Sequence, residues 1–191
     1  MEIKNIVEIP ETNPAYNKVL YWFFSFPIKE TTLNDLVKET NISKTTANKV
    51  INDLIKESFI KREVIGKTWK ISCNIDHPYN KSKKICYNLE LIYNSGLINE
   101  INKKYNLPKV IILFGSYRKG DDTEKSDIDI ALEILGDKKL EVKEFIKFKN
   151  MGYRKDVKIN LHIFSRKNIN SNLFANISNG IVLDGFLEVT K

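Results

Sequence analysis

The stretch richest in chemistry is Leu113-Phe114-Gly115-Ser116-Tyr117-Arg118-Lys119-Gly120, followed by Ser126-Asp127-Ile128-Asp129-Ile130. An apolar run leads into Gly-Ser. Glycine lets the backbone approach a ligand closely, and a serine hydroxyl beside free N–H groups suits the terminal phosphates of a nucleotide. Ten residues separate Ser116 from Asp127. If the acids lie on a strand, Asp127 and Asp129 point to one face with Cα atoms about 6.6 Å apart, while Ile128, Ile130 and Leu132 point into a core. Two carboxylates beside a phosphate cradle make a site for a hard cation, Mg²⁺ foremost. Such an ion neutralises charge developing on a leaving pyrophosphate. Arg118 and Lys119 are placed to clamp the same phosphates.

Gly115-Ser116, a gap, then Asp127-Ile128-Asp129, with Ser126 just ahead of the acids, resembles the signature of the polymerase-β-like nucleotidyltransferases. The minimal nucleotidyltransferases of prokaryotes are the nearest in kind. The resemblance covers about residues 95–190. It implies an α/β (α+β) domain with a small mixed sheet flanked by helices. It further implies that Gly115 and Ser116 bind nucleotide phosphates, with Arg118, Lys119 and Ser126 grouped beside them, and that Asp127 and Asp129 ligate Mg²⁺. The expected reaction transfers NMP from an NTP, ATP first among them, to a hydroxyl and releases pyrophosphate.

That family places a third carboxylate on a later strand. The matching segment here is Val157–Phe164, with Val157, Ile159, Leu161 and Ile163 on one face and Lys158, Asn160, His162 and Phe164 on the other. The acid position falls on Asn160, and an amide is no base. Asp156 stands at the start of the segment, and Glu133 lies further along the face of Asp127 and Asp129. His162, two residues from Asn160 on the same face, is a candidate base. The catalytic set is therefore Asp127, Asp129, Asn160 and His162.

These residues need a scaffold. Val110–Phe114 reads as a buried central strand, Asp127–Leu135 as a second and Val157–Phe164 as a third, with a helix expected over about Leu140–Gly152. Ahead of them, Pro14–Phe26 carries a broad apolar stripe ended by Pro27. Thr31–Asp35 starts a short helix, and Ser43 caps a longer one to about Ser58, whose Ala47, Val50, Ile51, Leu54 and Ile55 repeat at helical spacing. Phe59–Ile65 and Thr68–Cys73 then read as a hairpin across Gly66-Lys67. Three helices and a basic hairpin are the winged helix-turn-helix order. That order presents Lys44, Thr45, Thr46, Asn48, Lys49, Arg62 and Lys67 to nucleic acid. Pro78–Tyr105 reads as helical, broken near Asn94-Ser95-Gly96. The expected division is 1–75 for the winged module, 76–106 for a helical linker and 107–191 for the nucleotidyltransferase-like domain.

Charge supports a basic footprint. Residues 1–43 carry four Lys against six acids, and residues 44–70 seven Lys/Arg against three, within a net charge of +7. Such a block suits phosphate. Two cysteines, Cys73 and Cys86, are too few for a disulfide framework, and with His77 they match no zinc spacing. The absence of a long apolar run excludes a transmembrane helix and the N-terminus lacks a signal core, so a cytoplasmic protein without membrane contact is expected. A homodimer is compatible with a winged module, and a protein hydroxyl is a possible acceptor. The alternative function is a DNA-binding regulator, or an antitoxin-like protein, whose nucleotide-binding domain turns over weakly or not at all.

Overall fold

Asn13 caps the first helix, α1 (Pro14–Ser25), by accepting from the Ala15 N–H, and Pro14 occupies the first helical position, where a missing N–H costs nothing. The computed structural model that shows this describes residues 13–66 and 68–189. Helix α2 (Leu33–Thr40) is capped by Thr32 and stops at Asn41, whose left-handed backbone turns the chain into α3 (Lys44–Lys56), capped by Ser43. Val19, Leu20, Trp22, Phe23 and Phe24 of α1 and Val50, Ile51 and Leu54 of α3 meet Leu36, Phe59 and Ile71 in one core. A hairpin of β1 (Ile60–Ile65) and β2 (Thr68–Cys73) follows. A bridge between Thr31 and Ile71 ties it to the helices.

Helices α4 (Lys83–Asn94) and α5 (Leu97–Tyr105) come next, joined at Ser95-Gly96. Tyr87 of α4 stacks on Tyr21 at 4.3 Å and belongs to the first core, whereas Ile92, Leu97 and Ile101 belong to the second. The segment between the two modules is thus packed into both.

The rest is a five-stranded sheet: β3 (Val110–Phe114), β4 (Ile128–Glu133), β5 (Glu141–Met151), β6 (Arg154–Phe164) and β7 (Ile181–Gly185), in the order β5-β6-β4-β3-β7. β4 and β6 run parallel and every other pair is antiparallel, so the sheet is mixed. Ile111, Leu113, Ile128, Ile130, Ile159 and Leu161 face α4 and α5. On the opposite face, Val110, Ile112, Ala131 and Phe164 pack against Ile177 of α7 (Ser171–Ser178). Helix α7 covers one end of that face only.

The helix expected over Leu140–Gly152 is instead strand β5, which turns at Gly152-Tyr153 and pairs with β6. A register shift between Glu144 and Ile146 inserts Phe145 as a bulge. The inward residues then fall at Phe145, Phe148 and Met151, a spacing of three that mimics helical periodicity.

Candidate functional site

The end of the sheet face that α7 leaves open carries the polar residues. Ile128 and Ile130 are fully buried on the α4–α5 side, so the alternation of β4 turns Asp129, and Asp127 just ahead of it, to the other side. In the parallel ladder Asp129 lies beside Asn160 and Ala131 beside His162. The side chains meet on the diagonals. Asn160 Nδ2 donates to Asp127 Oδ2 at 3.3 Å, and His162 Nε2 lies 3.3 Å from Asp129 Oδ1. His162 also sets its ring edge-on to Phe114, with centroids 4.8 Å apart. Its position is fixed by these two neighbours.

Strand β3 runs directly into α6 (Gly115–Lys119). Gly115 has φ +74°, and a Cβ there would stand 2.8 Å from Asp129 Oδ2. Glycine is therefore required on two counts, the left-handed backbone and the room beside the acid. Ser116 and Arg118 are half-buried and Lys119 is exposed on the same short helix. The Ser126 hydroxyl accepts from the Thr123 N–H at 3.0 Å, and so shapes the turn ahead of Asp127.

The loop from Gly120 to Ser126 is held from beneath by residues that the sequence did not single out. Asp122 is buried, and its Oδ2 sits 3.3 Å from Nζ of the equally buried Lys84 on α4. Burial pulls the Lys84 ammonium below its ordinary range and pushes the Asp122 carboxyl above its own, each charge opposing the shift of the other. Asn88 donates to Asp122 Oδ1 at 2.8 Å and to the Tyr117 carbonyl at 3.1 Å. Arg154, from the start of β6, donates to the carbonyls of Glu124 at 3.0 Å and Ser126 at 2.5 Å, and to the Tyr117 hydroxyl.

Two other carboxylates have settled partners. Glu133 is buried and receives Arg166 Nε at 3.1 Å and Nη2 at 2.8 Å, away from the open end. Asp156 is exposed and lies 3.4 Å from Lys147. On the open face, Lys158 Nζ sits 3.1 Å from Glu144 Oε2. Glu144 first, and Asp127 after it, hold that ammonium above its usual range.

Residues 97–184 are similar to the family described as polymerase beta, nucleotidyltransferase, whose model they match. No curated protein matches the chain. The match takes in the whole open-faced site, from α5 through β7, and the mixed sheet is consistent with a nucleotidyltransferase fold.

Mg²⁺ is the cofactor that such domains generally use, and the donor set fits it. Asp127 and Asp129 offer carboxylate oxygens and Asn160 an amide oxygen, all hard donors. Among the described residues no group of three or more His, Cys, Asp or Glu could hold a metal ion. Mg²⁺ is commonly held by one or two carboxylates together with substrate phosphates rather than by an all-protein cage.

The residues expected to meet nucleic acid lie on and beside α3. Lys44, Thr45 and Lys49 are exposed. Asn48 accepts from Asn52 at 2.7 Å, and Arg62 donates to Asn52 at 3.1 Å while lying over the Trp69 ring. These contacts join the helix face to the hairpin. Thr46 bonds the capping Ser43 at 2.7 Å and, with Lys49, lines a groove of about 840 Å³ between α1, α3 and α4. Lys67 lies outside the described residues. Both cysteines are free, and both ring nitrogens of His77 are engaged with backbone, which leaves it no lone pair for zinc.

Proposed function

We propose that this protein is a nucleotidyltransferase that moves NMP from an NTP to a hydroxyl acceptor, with Mg²⁺, on a chain that also grips nucleic acid through an N-terminal winged helix. One observation carries the reading. Asp129 on β4 and Asp127 just ahead of it project onto the uncovered end of the sheet, with Gly115 leaving Asp129 its space.

Gly115 and Ser116 bind the nucleotide phosphates, and Arg118 and Lys119 add charge beside them. Asp127 and Asp129 hold Mg²⁺, which when bound neutralises charge on the phosphates. Asn160 orients Asp127 by its amide, and His162 orients Asp129. Phosphoryl and nucleotidyl transfer depend mainly on such positioning and charge stabilisation. The second reading is a nucleic-acid-binding regulator that senses nucleotide with little turnover. Asn160 at the third-acid position favours it.

The test is calorimetry of Mg²⁺-ATP binding. Asp127→Asn with Asp129→Asn removes Mg²⁺-dependent affinity and leaves the melting temperature unchanged, because neither acid points into the core. Unchanged affinity in the double variant would sink the site assignment. Pyrophosphate release when labelled NTPs meet cell lysate separates the enzyme from the regulator.

A further inference from the structure

Arg62 reaches from the hairpin to α3 and fixes how two amides on that helix are turned. Its Nη1 donates to Asn52 Oδ1 at 3.1 Å, and Asn52 Nδ2 donates to Asn48 Oδ1 at 2.7 Å. A guanidinium offers donors only, so the Asn52 atom that meets it must be the carbonyl oxygen. The NH₂ group of Asn52 is what remains for Asn48, and Asn48 must answer with oxygen. Its amide is thereby oriented. Nδ2 turns away from Asn52, and Oδ1 keeps a second lone pair. The relay starts from a fixed point, because Trp69 of β2 packs against the N-terminal core and the Arg62 guanidinium lies 4.3 Å from its ring centroid.

Asn48 stands where a base edge would be met. Ala47, Val50, Ile51 and Leu54 are the buried stripe of α3, so Lys44, Asn48 and Asn52, spaced four apart, form a row on another face. Lys44 and Thr45 are exposed, and Asn48 is half-buried in the first half of the helix. A donor and an acceptor side by side on one amide match adenine in the major groove, which presents its N7 acceptor beside its N6–H₂ donor. Guanine presents two acceptors there, N7 and O6, and would set an oxygen against Asn48 Oδ1. Held by Asn52, the amide loses less freedom on binding.

We propose that Asn48 reads one adenine of a duplex DNA site in the major groove, with Arg62 and Asn52 as positioning residues that set its amide. This rests on the nucleic-acid-binding reading of the N-terminal module. Duplex DNA is the partner because its major groove admits a helix, whereas that of A-form RNA is too deep and narrow for side chains to read.

The test incubates the full chain with short DNA duplexes randomised at their centre and sequences the bound fraction. Wild type is expected to select adenine at one position, and duplexes with guanine there should bind roughly 5–150-fold more weakly by fluorescence anisotropy. 7-Deazaadenine, which lacks the N7 acceptor, should weaken binding at that position alone. Asn48→Ala should erase the preference and leave the salt slope unchanged, since it removes no phosphate contact. Asn48→Asp keeps an oxygen for Asn52 but has no donor for N7. Its preference should move from adenine to cytosine, whose N4 is a donor. Asn52→Asp keeps the bond from Arg62 yet turns the Asn48 NH₂ group inward, so adenine selectivity should be lost at an unchanged melting temperature. A brace between helix and hairpin would leave base preference where it was. Wild type without an adenine preference, or Asn48→Asp that keeps one, overturns the proposal, as does selection of RNA or single strands over duplex DNA. If Lys44→Gln with Lys49→Gln still weakens duplex binding in that case, the nucleic-acid reading stands without Asn48. If wild type binds no duplex at low salt, that reading fails along with it.

Discussion

The acids of the open face owe their placement to a residue that touches neither of them. Arg154 is buried, and its guanidinium gathers the carbonyls of Glu124 and Ser126 and the hydroxyl of Tyr117. Those carbonyls belong to the residues that lead directly into Asp127. Arg154→Met would leave the three oxygens without their donor, and bonds to a charged group are each worth about 1.5–3 kcal/mol. A loss of about 3 kcal/mol in urea unfolding is expected, with weaker Mg²⁺-ATP binding beyond it because the Asp127 turn loosens. Arg154→Lys should recover only part of either effect, since an ammonium cannot span two carbonyls as a planar fork does. Full recovery by lysine would mean that charge alone mattered. At this scale the shared face of Asp127, Asp129 and Asn160 was legible, because alternation along a strand fixes it. Arg154 and Lys84 were not, because backbone carbonyls and a buried ion pair leave no periodic trace.

Elements rather than residues decide how the loop after α6 meets the rest of the chain. Gly120 has φ +76°, and a Cβ there would overlap the Asn80 carbonyl of the turn that precedes α4. Gly96, between α4 and α5, has nearly the same backbone, φ +75°, with nothing within 4 Å of its Cβ position. The two glycines thus separate strain from crowding. Gly96→Ala should cost about 1 kcal/mol for the left-handed backbone. Gly120→Ala should cost a further ~1–3 kcal/mol, because a carbonyl must move. Chemical denaturation of both variants measures the difference. Equal losses would mean that the turn before α4 yields freely and does not brace the loop. Both ends of that contact carry readable turn signals, yet the contact joins segments far apart in sequence. Helix boundaries in the N-terminal module were legible for the opposite reason. Asn13, Thr32 and Ser43 each cap the helix that follows within a few residues. β5 was misread because its bulge replaces the alternation of a strand by a spacing of three at Phe145, Phe148 and Met151.

Across the whole molecule, charge and packing point the same way. The net charge of +7 is unevenly placed, with seven basic residues against three acids over residues 44–70. In the structure Lys44 and Lys49 of α3 and Arg62 of β1 are exposed. Asn48 and Asn52 connect the helix to Arg62 along one hydrogen-bonded row. Helix α4 contributes Tyr87 to one core and Ile92 to the other. The N-terminal module is therefore joined to the open-faced site by packed structure rather than by a loose linker. If these cations meet phosphates, affinity for duplex DNA should fall with salt at a log–log slope of about −0.9 per contact. Changing Lys44, Lys49 and Arg62 together to Gln removes up to three contacts and should flatten that slope by up to about 2.7. Arg62 should give the smallest share, because Trp69 and Asn52 already hold its guanidinium. The single variants should therefore rank Lys44 and Lys49 above Arg62. Fluorescence anisotropy over a salt series reads both quantities, with tRNA and single-stranded DNA as companion probes. A slope unchanged by the triple substitution would place the nucleic acid elsewhere on the chain. An absence of binding to all three probes at low salt would reassign the module to docking a protein, leaving a protein hydroxyl as the acceptor.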